Sequence, residues 1–233
     1  MKRPVLILRP EPGASETAAR SRAMGLSPVV APLFEIRPLP WQPPAAGGFD
    51  ALLLTSANAA RHGGPALQSY VQLPCYCVGE ATAAAARGAG FADVRTGPAD
   101  AAGAAGAMTS QGVRRALHLC GKEHVAVTHA SLSIERRIVY EAVGTRELPG
   151  AAREALAAGA VALVHSARAG ALLASLATDR AEAFVAAISA AAAAAAGGGW
   201  REVAVAEAPR DQPLLELAAV LCNIARPGET EWE

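Results

Sequence analysis

The chain predicts an α/β fold built on parallel sheets, and three observations carry that prediction. Apolar runs of strand length alternate with alanine-rich stretches of helical spacing along the sequence. Glycine, proline or a small polar residue punctuates the junctions. Several segments also recur in the same order about 110 residues later.

In chain order, PVLIL (4–8) reads as a buried strand stopped by Arg9, Pro10 and Pro12. Ser15 offers an N-cap for a helix running to Met24, and Gly25 the stop. SPVVAPLFEI is a second strand, completing a unit of βαβ length, and the prolines at 38, 40, 43 and 44 mark an extended connector. FDALLLT is a strand with a helix starting at Ser56, and CYCVG a strand that turns at Gly79 into EATAAAARGAG. A short strand follows over 91–97, a helix over 100–111 and a strand over 114–121. RRIVYEAV, GAVALVHS, AFVAAIS and REVAVAE are further strands, with helices expected between them. The alanine run 190–196 is read as a helix ended by glycine, because alanine is the best helix former and GGG follows it.

The repeat is most evident where LLLTSANAA (52–60) meets ALVHSARAG (162–170), which sets Thr55 on His165 and Ser56 on Ser166. The same offset puts Val78 on Ile188 and Thr82 on Ala192, and VLIL (5–8) matches ALHL (116–119). Two copies of one α/β unit, each of about half the chain and the size of a small domain, account for this order.

Composition narrows the function. With 52% hydrophobic residues in 233, much of it alanine, and only 4% aromatics, the core should be helix-rich and packed with small side chains. Twenty-one basic residues balance 21 acidic ones, so no global field draws the chain to nucleic acid or an anionic membrane. The opening MKRPVLILRP holds too few apolar residues for a signal segment or a span, and a cytoplasmic protein is expected. Cys75, Cys77, Cys120 and Cys222 form no C-x-x-C pair and read as buried free thiols. The five histidines have no ligand spacing, and no P-loop, G-x-S-x-G, H-E-x-x-H or zinc pattern occurs. His118 in its apolar strand reads as a core residue, while His165 at a strand end is placed for a polar contact.

In open parallel sheets ligands bind beyond the carboxyl ends of the strands, where the following helices present free N–H groups. TSAN and HSAR suit that place. Ser56 and Ser166 can cap their helices or donate a hydroxyl to ligand, and Ala57 and Ala167 leave the backbone approachable. The residues alone thus give an anion-tolerant cleft and no reaction.

The succession VLILRPEPGASE, FDALLLTSANAAR, YCVGEATAAAARGAGF, RRIVYEAV and ALVHSARAG resembles uroporphyrinogen-III synthase along nearly the whole chain. The resemblance implies two flavodoxin-like domains joined by a two-stranded connector, one domain being 1–37 with 143–233 and the other 38–142. It implies conversion of hydroxymethylbilane to uroporphyrinogen III, with inversion of the last pyrrole and loss of water, by a monomer without cofactor or metal. The substrate's carboxylates would then meet Arg9, Thr55, Ser56, Ala57, Gly79, Thr82, Ser166 and Ala167, with Arg61, Arg168 and Lys122 as further cations. Tyr140 falls on the family's cleft tyrosine, whose phenol would help the terminal hydroxyl leave; otherwise it is an ordinary strand tyrosine. The chain departs from the pattern at Ala192, opposite Thr82, and after Gly121-Lys122, where the family's usual basic residue is not evident. A non-catalytic small-ligand module is the competing reading, since α/β clefts serve binding proteins as well.

Overall fold

The computed structural model describes residues 3–97, 101–124 and 126–224. The chain opens with β1 (Val5–Ile7), α1 (Gly13–Ala23) and β2 (Pro28–Val30), then leaves along β3 (Phe34–Pro38). Next come β4 (Ala51–Leu54), α2 (Ala57–His62), β5 (Cys75–Val78), α3 (Glu80–Gly88), β6 (Val94–Gly97) and α4 (Ala101–Ser110). After β7 (Arg115–Gly121), the twelve-residue β8 (Ser133–Gly144) carries the chain back. The remainder is α5 (Gly150–Ala157), β9 (Val161–Val164), α6 (Ala167–Leu176), β10 (Phe184–Ala187), α7 (Ala190–Ala196), β11 (Glu202–Val205) and α8 (Asp211–Cys222).

Two compact units result: the chain up to Glu35 joined by Gly144 onward, and the continuous segment Ile36–Val143. The sheet of the first unit runs β2-β1-β9-β10-β11, every pair parallel. That is the doubly wound order 2-1-3-4-5. The sheet of the second unit runs β8-β7-β4-β5-β6, again parallel, with β3 added beside β8. Leu39 N–H donates to Val139 and Thr145 N–H to Leu33, so the two connecting segments run in opposite directions.

The repeat read alone suggests that each copy is one spatial unit, and the topology corrects this. Each copy is divided: leaving aside the connector β3, its first two strands enter one sheet and its next three the other. The two sheets therefore share one spatial order with a circularly permuted chain order. The resemblance at an offset of about 110 is between β1 and β7 and between β4 and β9, which occupy equivalent places in different sheets.

The period-2 alternation of each strand builds two cores per sheet. In the first unit Leu6, Ala162, Val164, Val185 and Ala187 pack under α5, α6 and α7, while Val5, Ile7, Val161, Leu163 and Phe184 pack under α1 and α8. In the second, Leu52, Leu54, Cys75, Cys77, Leu117 and Leu119 lie under α2 and α3, and Ala51, Leu53, Tyr76 and Ala116 under α4. All four cysteines are buried thiols. The alanine run is the helix α7, ended at Gly197 with φ 66°. It packs closely on α6: a Cβ at Gly170 would lie 2.7 Å from the Ala192 carbonyl and 2.9 Å from the Ala196 nitrogen. Alanine and glycine are what two backbones at that separation admit.

Three local expectations change. The first helix begins at Gly13, so Ser15 lies inside it, and its N–H and hydroxyl donate to the Glu11 carboxylate at 3.0 and 2.9 Å. SPVVAPLFEI is two strands, β2 and β3, broken around Pro32, which has no N–H for a ladder. Between β7 and β8 the described residues hold no helix; Val127 and Leu132 from that connection fill the sheet face instead. Among the described residues no helix is long and apolar enough to cross a membrane.

Candidate functional site

Because the paired strands are parallel, their carboxyl ends fall along one edge of each sheet, and nearly all the candidate residues sit on those edges. In the second unit, Thr55 and Ser56 follow β4, Gly79 follows β5 and Gly121 ends β7. Tyr140 joins them through an irregularity. The β7–β8 register advances from Cys120 opposite Ile138 to Gly121 opposite Tyr140, leaving Val139 as an extra residue. Such a bulge re-aims the side chain that follows it. Val139 and Tyr140, neighbours that a regular strand would send to opposite faces, consequently pack on the same apolar cluster.

The Tyr140 ring lies over Gly121, where a Cβ would stand 2.7 Å from Cζ and 2.9 Å from the phenol oxygen. A side chain there would have to displace the ring. Burial raises the phenol's pKa, and the nearby Ser56 hydroxyl pulls it partly back. The His62 ring stands 6.3 Å away, and burial depresses its own pKa. The phenol is thus a neutral proton donor through the neutral pH range.

Ser56 also caps α2, its Oγ accepting from Asn58 N–H at 3.2 Å, and Ala57 begins that six-residue helix. Gly79 precedes α3 at φ 79° with open space around it, so its requirement is conformational. Thr82 lies buried within α3. Thr55 is partly exposed, and its Oγ1 is 3.0 Å from Nε2 of His118, which is fully buried. Burial lowers the His118 pKa to about 4, so the ring is neutral at physiological pH.

The corresponding edge of the first unit is organised by a residue absent from the sequence-based candidates. Asp211, the first residue of α8, accepts from Arg20 Nε at 2.8 Å and Nη2 at 2.7 Å, from Thr17 Oγ1 at 3.1 Å and from His165 Nε2 at 2.9 Å. Arg9 Nη1 reaches both Asp211 Oδ1 and Thr17 Oγ1 at 3.3 Å. Despite its burial, these donors hold the Asp211 carboxyl well below the usual carboxylate range. Burial depresses the His165 pKa, keeping that ring neutral with its proton on the nitrogen that faces Asp211. Arg9 and Arg20 remain 33% and 43% exposed, so two guanidiniums share one carboxylate and can still meet solvent.

Ser166 caps α6 through Ala169 N–H at 3.1 Å and is exposed together with Ala167 and Arg168. Ser189, unnoticed in the sequence, caps α7 in the same way through Ala192 N–H at 3.3 Å. It occupies Gly79's place in the repeat, and the common offset is the signal that finds it. Of the further cations, Lys122 pairs with Glu141 at 3.0 Å and Arg168 stacks on Phe34 at 4.7 Å. Arg61 lies in the last turn of α2. Ala192, the departure opposite Thr82, is fully buried. Among the described residues no three His, Cys, Asp or Glu gather into a group that could hold a metal ion.

A family model described as uroporphyrinogen-III synthase HemD matches residues 15–216. No curated protein sequence matches the chain. Among solved structures, the uroporphyrinogen-III synthetase of Helicobacter pylori is similar at a TM-score of 0.66 and 18% identity, over 94% of this chain and 99% of that one. A mutant uroporphyrinogen III synthase of the extremely thermophilic bacterium Thermus thermophilus is similar at 0.50 and 15%, over 94% and 98% of the two chains. At these identities the structures speak for a shared fold, while the sequence model spans most of the chain, from α1 into α8. The chain belongs to the uroporphyrinogen-III synthase HemD family.

Proposed function

We propose that the chain is an active uroporphyrinogen-III synthase, a lyase that closes hydroxymethylbilane to uroporphyrinogen III with inversion of the last pyrrole and release of one water. The observation that best supports the reading is the phenol of Tyr140, kept protonated by burial, seated on Gly121 and beside Ser56 at the carboxyl edge of its sheet.

Loss of the terminal hydroxyl needs a proton on the departing oxygen and electrons to replace the broken C–O bond. Tyr140 donates the hydrogen bond and then the proton, and the pyrrole nitrogen supplies the electrons, leaving an azafulvene. The substituted carbon of the last ring attacks the electrophilic methylene to give a spiro intermediate; the bond from that carbon to the preceding ring's bridging methylene then breaks and re-forms at the last ring's unsubstituted carbon, closing the macrocycle with that ring inverted. A final proton loss restores the aromatic pyrrole, and the phenolate regains its proton. No electrons are gained or lost overall. The remaining task is to fold a flexible chain into the attacking geometry, catalysis by positioning. The candidates to meet the substrate's carboxylates are Thr55, Ser56, Ala57, Gly79 and Thr82 on the edge of the second unit, and Arg9, Ser166 and Ala167 on that of the first.

The test is incubation with hydroxymethylbilane, oxidation of the products to porphyrins and chromatographic separation of the isomers. Type III above the spontaneous type I background supports the activity. Type I alone, from folded protein, overturns it and leaves a binding module.

A further inference from the structure

Among the described residues, His118 is the histidine with both an isolated buried nitrogen and a partner among the candidate site residues. It lies within β7 opposite Leu53 and is fully buried. Its Nε2 is 3.0 Å from Thr55 Oγ1, and its Nδ1, also buried, has no hydrogen-bond partner among the described residues. The ring is neutral, so one nitrogen carries a proton and the other does not. A proton on Nδ1 would bury an unmet donor, whereas a proton on Nε2 is donated to Thr55 and leaves only a bare lone pair at Nδ1. Orphaned buried donors are the rarer and costlier case. The proton therefore sits on Nε2, and Thr55 Oγ1 accepts it.

A hydroxyl that accepts from a fixed buried donor has its own hydrogen left to give. Thr55 is partly exposed at the strand end and precedes Ser56, the residue that acts on Tyr140. We propose that His118 is a positioning residue: it orients the Thr55 hydroxyl as a committed donor toward a ligand carboxylate at the carboxyl edge of the second unit's sheet. This rests on the function proposed above, whose substrate is a polycarboxylate. In the first unit His165 stands in Thr55's place in the repeat but gives its proton to Asp211, so it leaves no donor for a ligand.

The experiment is a double-mutant cycle of Thr55→Val and His118→Leu, with His118→Gln as the conservative variant whose amide nitrogen can replace Nε2. It is read as KM and kcat for hydroxymethylbilane and, independently of turnover, as the dissociation constant for uroporphyrin III, an octacarboxylate, followed by its fluorescence. Each single change should raise KM and the dissociation constant on the order of tenfold, the worth of one hydrogen bond to a charged group. kcat should hold, the double variant should be no worse than either single one, and His118→Gln should recover most of the loss. Additive losses, or binding unaltered in His118→Leu with an unchanged Tm, overturn the proposal. Wild-type protein that binds uroporphyrin III but forms no type III isomer overturns the catalytic reading alone.

Discussion

Tyr140 lies directly opposite Gly121 across the β7–β8 ladder, and its phenol oxygen would be 2.9 Å from any Cβ placed at 121. The two residues are 19 positions apart and form one device: the bulge turns the ring, and the missing side chain receives it. Gly121→Ala should displace the ring and lower kcat in the proposed reaction by about tenfold with a smaller change in KM. Steady-state kinetics on folded variant protein decide this, and an unchanged kcat would show that the ring's seat is immaterial.

Tyr140→Phe should keep the packing and remove the proton donor. A positioned acid contributes roughly a hundredfold or more to rate, so kcat should fall by about that factor with Tm nearly unchanged. The raised phenol pKa also predicts that wild-type turnover holds as pH rises toward about 10, before the donor is lost. A loss of turnover near neutrality would assign the limiting proton to another group.

Asp211 should control acid stability. Its folded pKa is depressed, so its contribution is complete above the unfolded value near about 4 and is lost as pH falls further. His165 and His118 add to the slope from higher pH. Both have depressed folded pKa values, so the unfolded chain takes up protons below about 6.5 that the folded chain refuses. Denaturant midpoints measured from about pH 7 to 4 should therefore fall steadily, and His118→Leu should flatten the upper part of that fall. Asp211→Ala should cost on the order of 2–4 kcal/mol at neutral pH, because it leaves Arg9, Arg20 and His165 without their shared acceptor.

Two glycine substitutions inside helices should act in opposite directions. Gly170→Ala drives a methyl into the α7 backbone and should destabilise by about 1–3 kcal/mol through overpacking. Gly106→Ala in α4 meets nothing within 4 Å and should stabilise by roughly 0.5–1 kcal/mol through helix propensity. Thermal melts of the two variants beside the wild type check both signs.

Local order is readable in the sequence, because strand length, alternation and turn residues act over a few positions. Thus β4 and β9 with their serine caps, the Gly79 turn and the α7 alanine run follow from short stretches. The organisation around Asp211 is not readable there: its partners Arg9, Thr17, Arg20 and His165 stand 46 to 202 residues away and meet it only through sheet order. The bulge at Cys120/Gly121 likewise leaves no compositional mark, since it is fixed by how β7 and β8 register. A buried histidine in an apolar strand reads as core, and only the atoms around His118 show that one nitrogen has a partner and the other none.

The division of each repeat copy between the sheets imposes an order on biosynthesis. The segment Ile36–Val143 is continuous, so all its strands leave the ribosome before β9, the strand that β1 must lie beside. Until then Val5, Leu6 and Ile7 wait with one side of their ladder unfilled, an open apolar edge on a nascent chain whose other sheet already has all its strands synthesised.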